Sequence, residues 1–166
     1  MRCFIAVEIP DETKKKISHV KKEFQGKIVS DENIHVTLKF LGDVDEKNIP
    51  NIIEKLKKVS FKSFDISFIG VGAFPKNSHA RVLWIGCESP ELNALARQIQ
   101  HILPPSEDFV GHVTVARMEY QDVTSFVNKH KDNEFGTMHC TSFVLKKSIL
   151  TPKGSVYSTI ETFYAQ

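Results

Sequence analysis

A four-residue pattern occurs twice in this chain and constrains its fold more than any other feature. The first copy is His35-Val36-Thr37-Leu38 and the second is His112-Val113-Thr114-Val115, offset by 112 − 35 = 77 residues in a chain of 166. Each copy lies in a run of alternating apolar and polar residues, which is typical of a β-strand. Because side chains alternate between the two faces of a strand, the His and the Thr of each copy share one face. The repeat therefore predicts two related strands, one in each half of the chain.

The segments around the two copies follow the same order, strand, helix, motif strand and helix. We predict strands at 2–9, 34–40, 64–75, 81–87, 109–118, 135–140, 142–151 and 156–164, and helices at 11–24, 45–59, 89–103 and 122–130. Strand faces that alternate between apolar and polar favour antiparallel sheets with one covered side. We therefore expect an α+β fold within one two-lobed domain spanning 1–166. In this bilobal, pseudo-symmetric duplication, two antiparallel β-sheets flank a central cleft and the helices pack outside.

Composition excludes several classes of protein. A content of 41% hydrophobic and 25% charged residues is ordinary for a globular domain. A net charge of +2 excludes the broad basic surface of sequence-independent DNA binders, although a local anionic ligand fits. The three cysteines are far apart and form no metal-binding pattern, which indicates reduced thiols and a cytoplasmic setting. No apolar run reaches the length of a membrane span, so we expect no membrane partner.

The two motifs carry the groups that acid–base chemistry at a phosphate requires. A histidine has an ordinary pKa of about 6.5, so a pair can hold one base and one acid near neutrality. In a phosphodiester displacement, one imidazole takes a proton from the attacking water and one imidazolium gives a proton to the leaving alkoxide. Thr37 and Thr114 could donate hydrogen bonds to the non-bridging oxygens. A metal site is disfavoured, because threonine is a poor ligand and no Asp, Glu or second His shares either motif face. We expect neither a metal nor a cofactor.

The chain resembles the two-histidine phosphoesterase superfamily, specifically its RNA 2′,3′-cyclic phosphodiesterase branch, also called the 2′-5′ RNA ligase family. The resemblance rests on both motifs and on a framework comprising residues 2–6, 70–75, 81–86 and 112–117, with Ser148, Gly154 and Tyr157. It implies metal-independent hydrolysis of a terminal 2′,3′-cyclic phosphate on RNA to a 2′-phosphomonoester. It also implies that His35 donates a proton to the departing 3′ oxygen and that His112 activates water. Gly111 stands where this branch often has proline, which predicts a looser loop before the second motif.

Other functions remain open at this point. The same site run backwards would be a 2′-5′ RNA ligase that joins cyclic-phosphate and 5′-hydroxyl ends, such as those of tRNA halves. A non-catalytic RNA-binding module and a phosphodiesterase for small cyclic nucleotides are further alternatives. We expect a monomer whose partner is RNA with 2′,3′-cyclic phosphate ends, tRNA fragments among them. The residues alone leave open which histidine is the acid and which is the base.

Further residues have two interpretations each. By strict alternation Arg117 points away from His112, so a phosphate contact would need a bend in the strand, and a structural salt bridge is the alternative. Lys39 shares the predicted face of the first motif and would be either a source of positive potential or a solvated rim residue. Phe4 and Tyr157 could stack a terminal base, although for Phe4 a core position is the stronger interpretation.

The remaining conspicuous side chains are assigned no role in the site. Trp84 lies in an apolar strand and is interpreted as a core residue, and Arg81 could reach the cleft but is assigned no role. The lysine clusters at 14–16 and 21–22 are interpreted as a solvated helix face, with an RNA-docking surface as the alternative. Five histidines lie outside the motifs and are interpreted as surface or incidental residues: His19, His79, His101, His130 and His139.

Overall fold

A computed structural model describes residues 1–24 and 26–166. The strands are β1 (Arg2–Glu8), β2 (Lys27–Ile28), β3 (His35–Asp43), β4 (Phe64–Lys76), β5 (His79–Glu88), β6 (His112–Gln121), β7 (Glu134–Cys140), β8 (Ser142–Thr151) and β9 (Gly154–Tyr164). The helices are α1 (Asp11–Lys21), α2 (Ile49–Leu56), α3 (Pro90–Ile102) and α4 (Thr124–His130). Every predicted element is present, with bounds that shift by a few residues, and the short strand β2 is an addition.

The strands form a curled antiparallel sheet with two halves. Their order is β7-β4-β5-β6-β3-β1-β8-β9, and β2 pairs with the β6 edge. The first four strands and the last four meet where β6 pairs with β3, through Val36 and Val113. The two predicted sheets are thus the halves of one sheet, which curls into a half-barrel around the cleft. The predicted α+β duplication is confirmed.

The two motif strands are alike in detail as well as in order. The first six residues of β3 and of β6, counted from the histidine, have the same burial: half-buried, buried, half-buried, buried, buried and exposed. Each strand has a bulge three residues after its histidine, because Leu38 has no partner in β1 and Val115 has none in β5. A bulge adds one residue to a strand and shifts the alternation of its faces. Side chains beyond the bulge therefore lie on the opposite face from the one that strict alternation predicts.

The helices cover the face of the sheet that carries the apolar side chains. Helix α1 packs on β6 and β7, whereas α3 packs on β3 and β4, so each of these helices contacts strands of the other half of the chain. Ser89 caps α3 by accepting a hydrogen bond from the backbone N–H of Leu92 at 3.1 Å. No helix in the described ranges is long and apolar enough to cross a membrane. The opposite face of the sheet is left for the two motifs.

One lysine of α1 departs from the predicted solvated face. Lys21 is buried; its ammonium donates to the carbonyl of Val29 at 2.9 Å and pairs with Asp31. This pairing ties the end of α1 to the segment that leads into the first motif strand. It also lowers the pKa of the Asp31 carboxyl, chiefly through the hydrogen bond from Lys21.

Candidate active site

The two motifs meet at the centre of the sheet. The valine pair that joins the halves lies between the His and the Thr of each motif, so the antiparallel register directs His35 towards Thr114 and Thr37 towards His112. In a regular antiparallel pair, directly opposite residues have Cβ atoms about 4.5–5.5 Å apart and diagonal neighbours lie about 7–8 Å apart. The two histidines are such diagonal neighbours. The register therefore brings two imidazoles and two hydroxyls to one place on the same face of the sheet.

Backbone carbonyls fix the orientation of both imidazoles. Nδ1 of His35 lies 2.7 Å from the carbonyl oxygen of Asn33, and Nδ1 of His112 lies 2.7 Å from that of Val110. A carbonyl can only accept, so each Nδ1 carries the hydrogen and each neutral ring presents the lone pair of Nε2. Nε2 of His35 accepts from the Thr37 hydroxyl at 2.9 Å. Both histidines are therefore held in the tautomer that a proton acceptor at Nε2 requires.

Burial makes both imidazoles hard to protonate in the free protein. The pKa of His35 is lowered to about 4, chiefly by burial and also by the nearby Lys146 ammonium, against the opposing effect of the Asn33 carbonyl. Burial also lowers the pKa of His112, and Arg117 adds to that lowering. A bound phosphate anion would raise both pKa values, because it stabilises the imidazolium. The site is thus neutral when free and is suited to take up a proton with an anionic ligand.

Aromatic rings enclose the first histidine. The ring centre of Phe4 is 4.9 Å from that of His35, and Tyr157 stands edge-on to His35 at 5.4 Å. Phe4 is only 4% exposed and packs with Ala6 and Tyr157, so the core interpretation of Phe4 describes it better than base stacking does. Tyr157 is half-buried and remains accessible from the cleft.

A second aromatic pair encloses the other histidine and was missed in the sequence. Phe74 is perpendicular to His112 at 5.1 Å, and the Trp84 ring lies 6.1 Å from it. Trp84 pairs with Thr114 across β5 and β6 and is half-buried, so its interpretation as a core residue is wrong. A Cβ at Gly72 would lie 2.3 Å from the indole, which therefore rests directly on that glycine. The run from Val82 to Ile85 is apolar throughout, so only the pairing of Trp84 with Thr114 places the indole on the cleft face.

Arg117 lies on the cleft face because of the bulge in β6. Val115 and Ala116 are both buried, and the exposed Arg117 then returns to the face of His112. The bend that a phosphate contact requires is thus present. None of the ion pairs between described residues involves Arg117, so the salt-bridge alternative finds no support there. Its guanidinium is close enough to His112 to lower the pKa of that histidine.

The corresponding bulge in β3 removes Lys39 from the cleft. Both interpretations of Lys39 in the sequence are wrong, because the side chain is 4% exposed and lies on the covered face. Its ammonium donates to Oε1 of Gln100 at 2.8 Å and to the carbonyl of Pro105 at 2.6 Å. Lys39 therefore joins the first motif strand to the segment that leads from α3 into the second motif.

Gly111 is held firmly in front of the second motif. The backbone N–H of Cys87 donates to the carbonyl of Gly111 at 3.0 Å, and a Cβ at Gly111 would lie 2.9 Å from the carbonyl oxygen of Cys87. The backbone segments at Gly111 and Cys87 approach too closely for a residue with a side chain at position 111, contrary to the prediction of a looser loop. A cavity of about 480 Å³ opens beside this contact and is lined in part by Trp84 and Val110.

The histidines outside the motifs lie away from this site. His19, His79, His101 and His139 are exposed, as predicted, whereas His130 is buried at 5% exposure beside Glu23. Within the ranges that the structure describes, no group of three or more His, Cys, Asp or Glu side chains is arranged to hold a metal ion.

Comparison with known proteins agrees with this geometry. Residues 7–84 match the family described as LigT like phosphoesterase. The RNA 2′,3′-cyclic phosphodiesterase of Archaeoglobus fulgidus is 41% identical, covering 98% of this chain and 99% of that protein. The protein of the same name from Methanocaldococcus jannaschii is 32% identical, covering 97% and 99%.

Solved structures share the fold over nearly the whole chain. The protein TT0787 of Thermus thermophilus superposes with a TM-score of 0.84 at 26% identity, covering 99% of this chain and 97% of that one. E. coli LigT complexed with 3′-AMP gives a TM-score of 0.84 at 20% identity with the same coverage, which shows the fold alone. Taken with the two facing motifs, these likenesses show that the chain belongs to the LigT-like family of two-histidine phosphoesterases.

Proposed function

We propose that this protein hydrolyses terminal 2′,3′-cyclic phosphates of RNA to 2′-phosphomonoesters by metal-independent acid–base catalysis. The observation that carries the proposal is the register of the two motif strands, which directs His35 towards Thr114 and Thr37 towards His112 across one residue pair. The names of the 41% and 32% identical relatives support the RNA substrate.

In the proposed reaction, the cyclic phosphate lies between the two histidines. Nε2 of His112 takes a proton from water as the water oxygen bonds to phosphorus, and the bond from phosphorus to the 3′ oxygen breaks. Protonated His35 gives its proton to that oxygen, so no charge is left on the leaving group. The hydroxyls of Thr37 and Thr114 and the guanidinium of Arg117 donate to the non-bridging oxygens, where negative charge increases.

The surroundings of each histidine support this assignment of acid and base. The leaving 3′ oxygen belongs to the ribose of the terminal nucleotide, and Tyr157 offers that nucleoside an accessible aromatic edge beside His35. Phe4 fixes the other side of the His35 ring and acts as a positioning residue. On the side of His112, a cavity of about 480 Å³ lies against Val110 and Gly111, the two residues that precede the base.

The remaining features of the proposal concern the whole chain. We propose that residues 1–166 act as one two-lobed domain, which is supported by α3 packing on β4 in one half of the sheet and on β3 in the other. We also propose that the protein acts as a monomer. The cysteines Cys3, Cys87 and Cys140 are free thiols, which supports a reducing, cytoplasmic setting. The scheme needs no cofactor.

A second candidate function is ligation of RNA ends through a 2′-5′ bond. The observation in its favour is that Phe74 and Trp84 accompany His112 as Phe4 and Tyr157 accompany His35. A nucleoside whose 5′-hydroxyl replaces water could stack there. Incubation with cyclic-phosphate and 5′-hydroxyl RNA ends would distinguish the two functions by the ratio of joined to hydrolysed product.

The hydrolase proposal is tested by His35→Ala and His112→Ala. We expect each variant to lower kcat for a cyclic-phosphate RNA end by about 10²- to 10⁴-fold, because each removes one proton transfer from the transition state. The exposed His139→Ala is the matched control and should retain full activity. Activity should be unchanged by EDTA, and the product should be a 2′-phosphate. Full activity in either motif variant would refute the proposal.

A further inference from the structure

A group of exposed side chains continues along β5 and β6 from the second motif. We call it the distal strip and define it as His79, Arg81 and Tyr120, which extend beyond Arg117. The rings of His79 and Tyr120 stack with centres 3.9 Å apart and planes 7° apart. The Arg81 guanidinium carbon lies 5.2 Å from the centre of the Tyr120 ring. Tyr120 is 51% exposed, so this preformed stack is accessible to solvent.

The distal strip lies on the cleft face of the sheet. Val82 pairs with Arg117, which shares the face of the second motif, and Ala80 is fully buried on the covered face. Arg81 falls between them at a bulge in β5, because Phe74–Pro75 of β4 pair with residues 82 and 80. Alternation from buried Ala80 then places the exposed His79 on the cleft side too.

The charges along the strip favour an anionic ligand. Arg81, Arg117 and Lys27, which pairs with Arg117 from β2, are exposed, and none of them is in an ion pair with another described residue. Two carboxylates lie nearby in the chain. Asp122 accepts a hydrogen bond from the backbone N–H of Thr124, and Glu119 is exposed. Three cationic side chains therefore outnumber the two carboxylates near the strip, and the local charge is positive.

We propose that the distal strip binds the single-stranded RNA that precedes the cyclic-phosphate nucleotide, which makes oligonucleotides better substrates than mononucleotides. This inference rests on the proposed function. Stacked aromatic rings hold unpaired bases without sequence preference, and arginines contact the phosphates between them. Tyr120 lies six residues beyond Thr114, at most about 20 Å along the strand, so the strip is within reach of the next few nucleotides.

The test compares a 2′,3′-cyclic mononucleotide with a tetranucleotide that ends in the same cyclic phosphate. The unmodified protein should show a lower KM for the tetranucleotide. Tyr120→Ala should raise that KM about 5-fold or more, since loss of one stacked base has an effect of at least this size. Arg81→Gln should raise it too and should lessen its dependence on salt. Both variants should keep kcat and the mononucleotide KM unchanged.

Matched controls come from exposed residues elsewhere. Tyr164→Ala removes a tyrosine that is 70% exposed at the end of β9, and Arg97→Gln removes an exposed arginine of α3. Both should behave as the unmodified protein does. Equal KM values for the two substrates in the unmodified protein would overturn the inference and leave the proposed function standing. An equal loss on both substrates in Tyr120→Ala would also overturn it.

Failure of the proposed function gives a different result. In that case the unmodified protein hydrolyses neither substrate, and the strip is tested by the fluorescence anisotropy of a labelled tetranucleotide with a 2′-phosphate end. Weaker binding by Tyr120→Ala and Arg81→Gln, but not by the controls, would still support the inference. Equal binding by all five proteins would refute it.

Discussion

His35 and His112 are both neutral in the free protein, and this state has a consequence for catalysis. Their Nδ1 atoms donate to the carbonyls of Asn33 and Val110, so both rings present a lone pair at Nε2. One of them must gain a proton before it can act as the acid, and burial opposes this by lowering both pKa values. The phosphate anion of the substrate is the group that can reverse this effect. Substrate binding and protonation of the acid are therefore coupled.

The pH profile of kcat/KM should reflect these lowered pKa values. This ratio reports the acid and the base of the free enzyme. Since the pKa of His35 is about 4 and that of His112 lies below 6.5, we expect a bell-shaped profile with its maximum on the acidic side of pH 6.5. The profile of kcat should lie at higher pH, because bound phosphate raises both pKa values. A maximum of kcat/KM above pH 7.5 would contradict this account.

His35 should also make stability depend on pH. Its pKa is about 4 when folded and about 6.5 when unfolded, so the unfolded chain binds more protons between these values. The stability that comes from keeping His35 neutral is fully present above pH 6.5 and is lost as the pH falls through 4. We expect this loss to lower the free energy of unfolding by up to about 3 kcal/mol. Urea unfolding at pH 7.5 and 4.5 should show a smaller loss for His35→Gln than for the unmodified protein. Equal losses in the two proteins would contradict the lowered pKa.

At the scale of the elements, the two bulges decide which side chains reach the cleft. Strict alternation places Lys39 on the face of His35 and Arg117 away from His112, and both placements are reversed in the structure. A bulge depends on pairing with a neighbouring strand, so the residues of β3 or β6 alone do not reveal it. The motif residues precede the bulges, which is why their shared face was predicted correctly.

Lys39 acts as a connection between elements. Its ammonium reaches Gln100 of α3 and the carbonyl of Pro105, while the Gln100 side chain accepts from the N–H of Glu107 at 3.2 Å and donates to the carbonyl of Leu38 at 3.3 Å. These bonds attach the segment before the second motif to the first motif strand. The positions of the two histidines are thereby linked through the covered side of the sheet.

Replacement of Lys39 by Met should therefore be costly. The substitution keeps an unbranched side chain but removes the ammonium that donates to the buried amide oxygen of Gln100 and to the carbonyl of Pro105. We expect a loss of about 1–3 kcal/mol in the free energy of unfolding in urea. Lys58→Met, at an exposed position in the same half of the chain, should change it by less than about 0.5 kcal/mol. A loss no larger than that of this control would show that the buried bonds contribute nothing.

At the scale of the whole molecule, the repeat alone was enough to predict two halves with a cleft between them. The joint between the halves was not predictable, because the pairing of Val36 with Val113 depends on register across distant parts of the chain. The packing of α1 on β6 and β7, which lie in the other half of the chain, was not predictable for the same reason. Trp84 and the distal strip were missed because their exposure follows from pairing and bulges, whereas the histidines and threonines are marked by repetition.

The central claim is that the two halves contribute one acid and one base to the same transition state. The most direct measurement is kcat for a cyclic-phosphate RNA end in His35→Ala, His112→Ala and the double variant. Each single variant should lose about 10²- to 10⁴-fold, and the double variant should lose about as much as the worse single variant, because residues that act as a unit are not additive. A double variant whose loss equals the product of the two single losses would contradict the claim, as would full activity in either single variant.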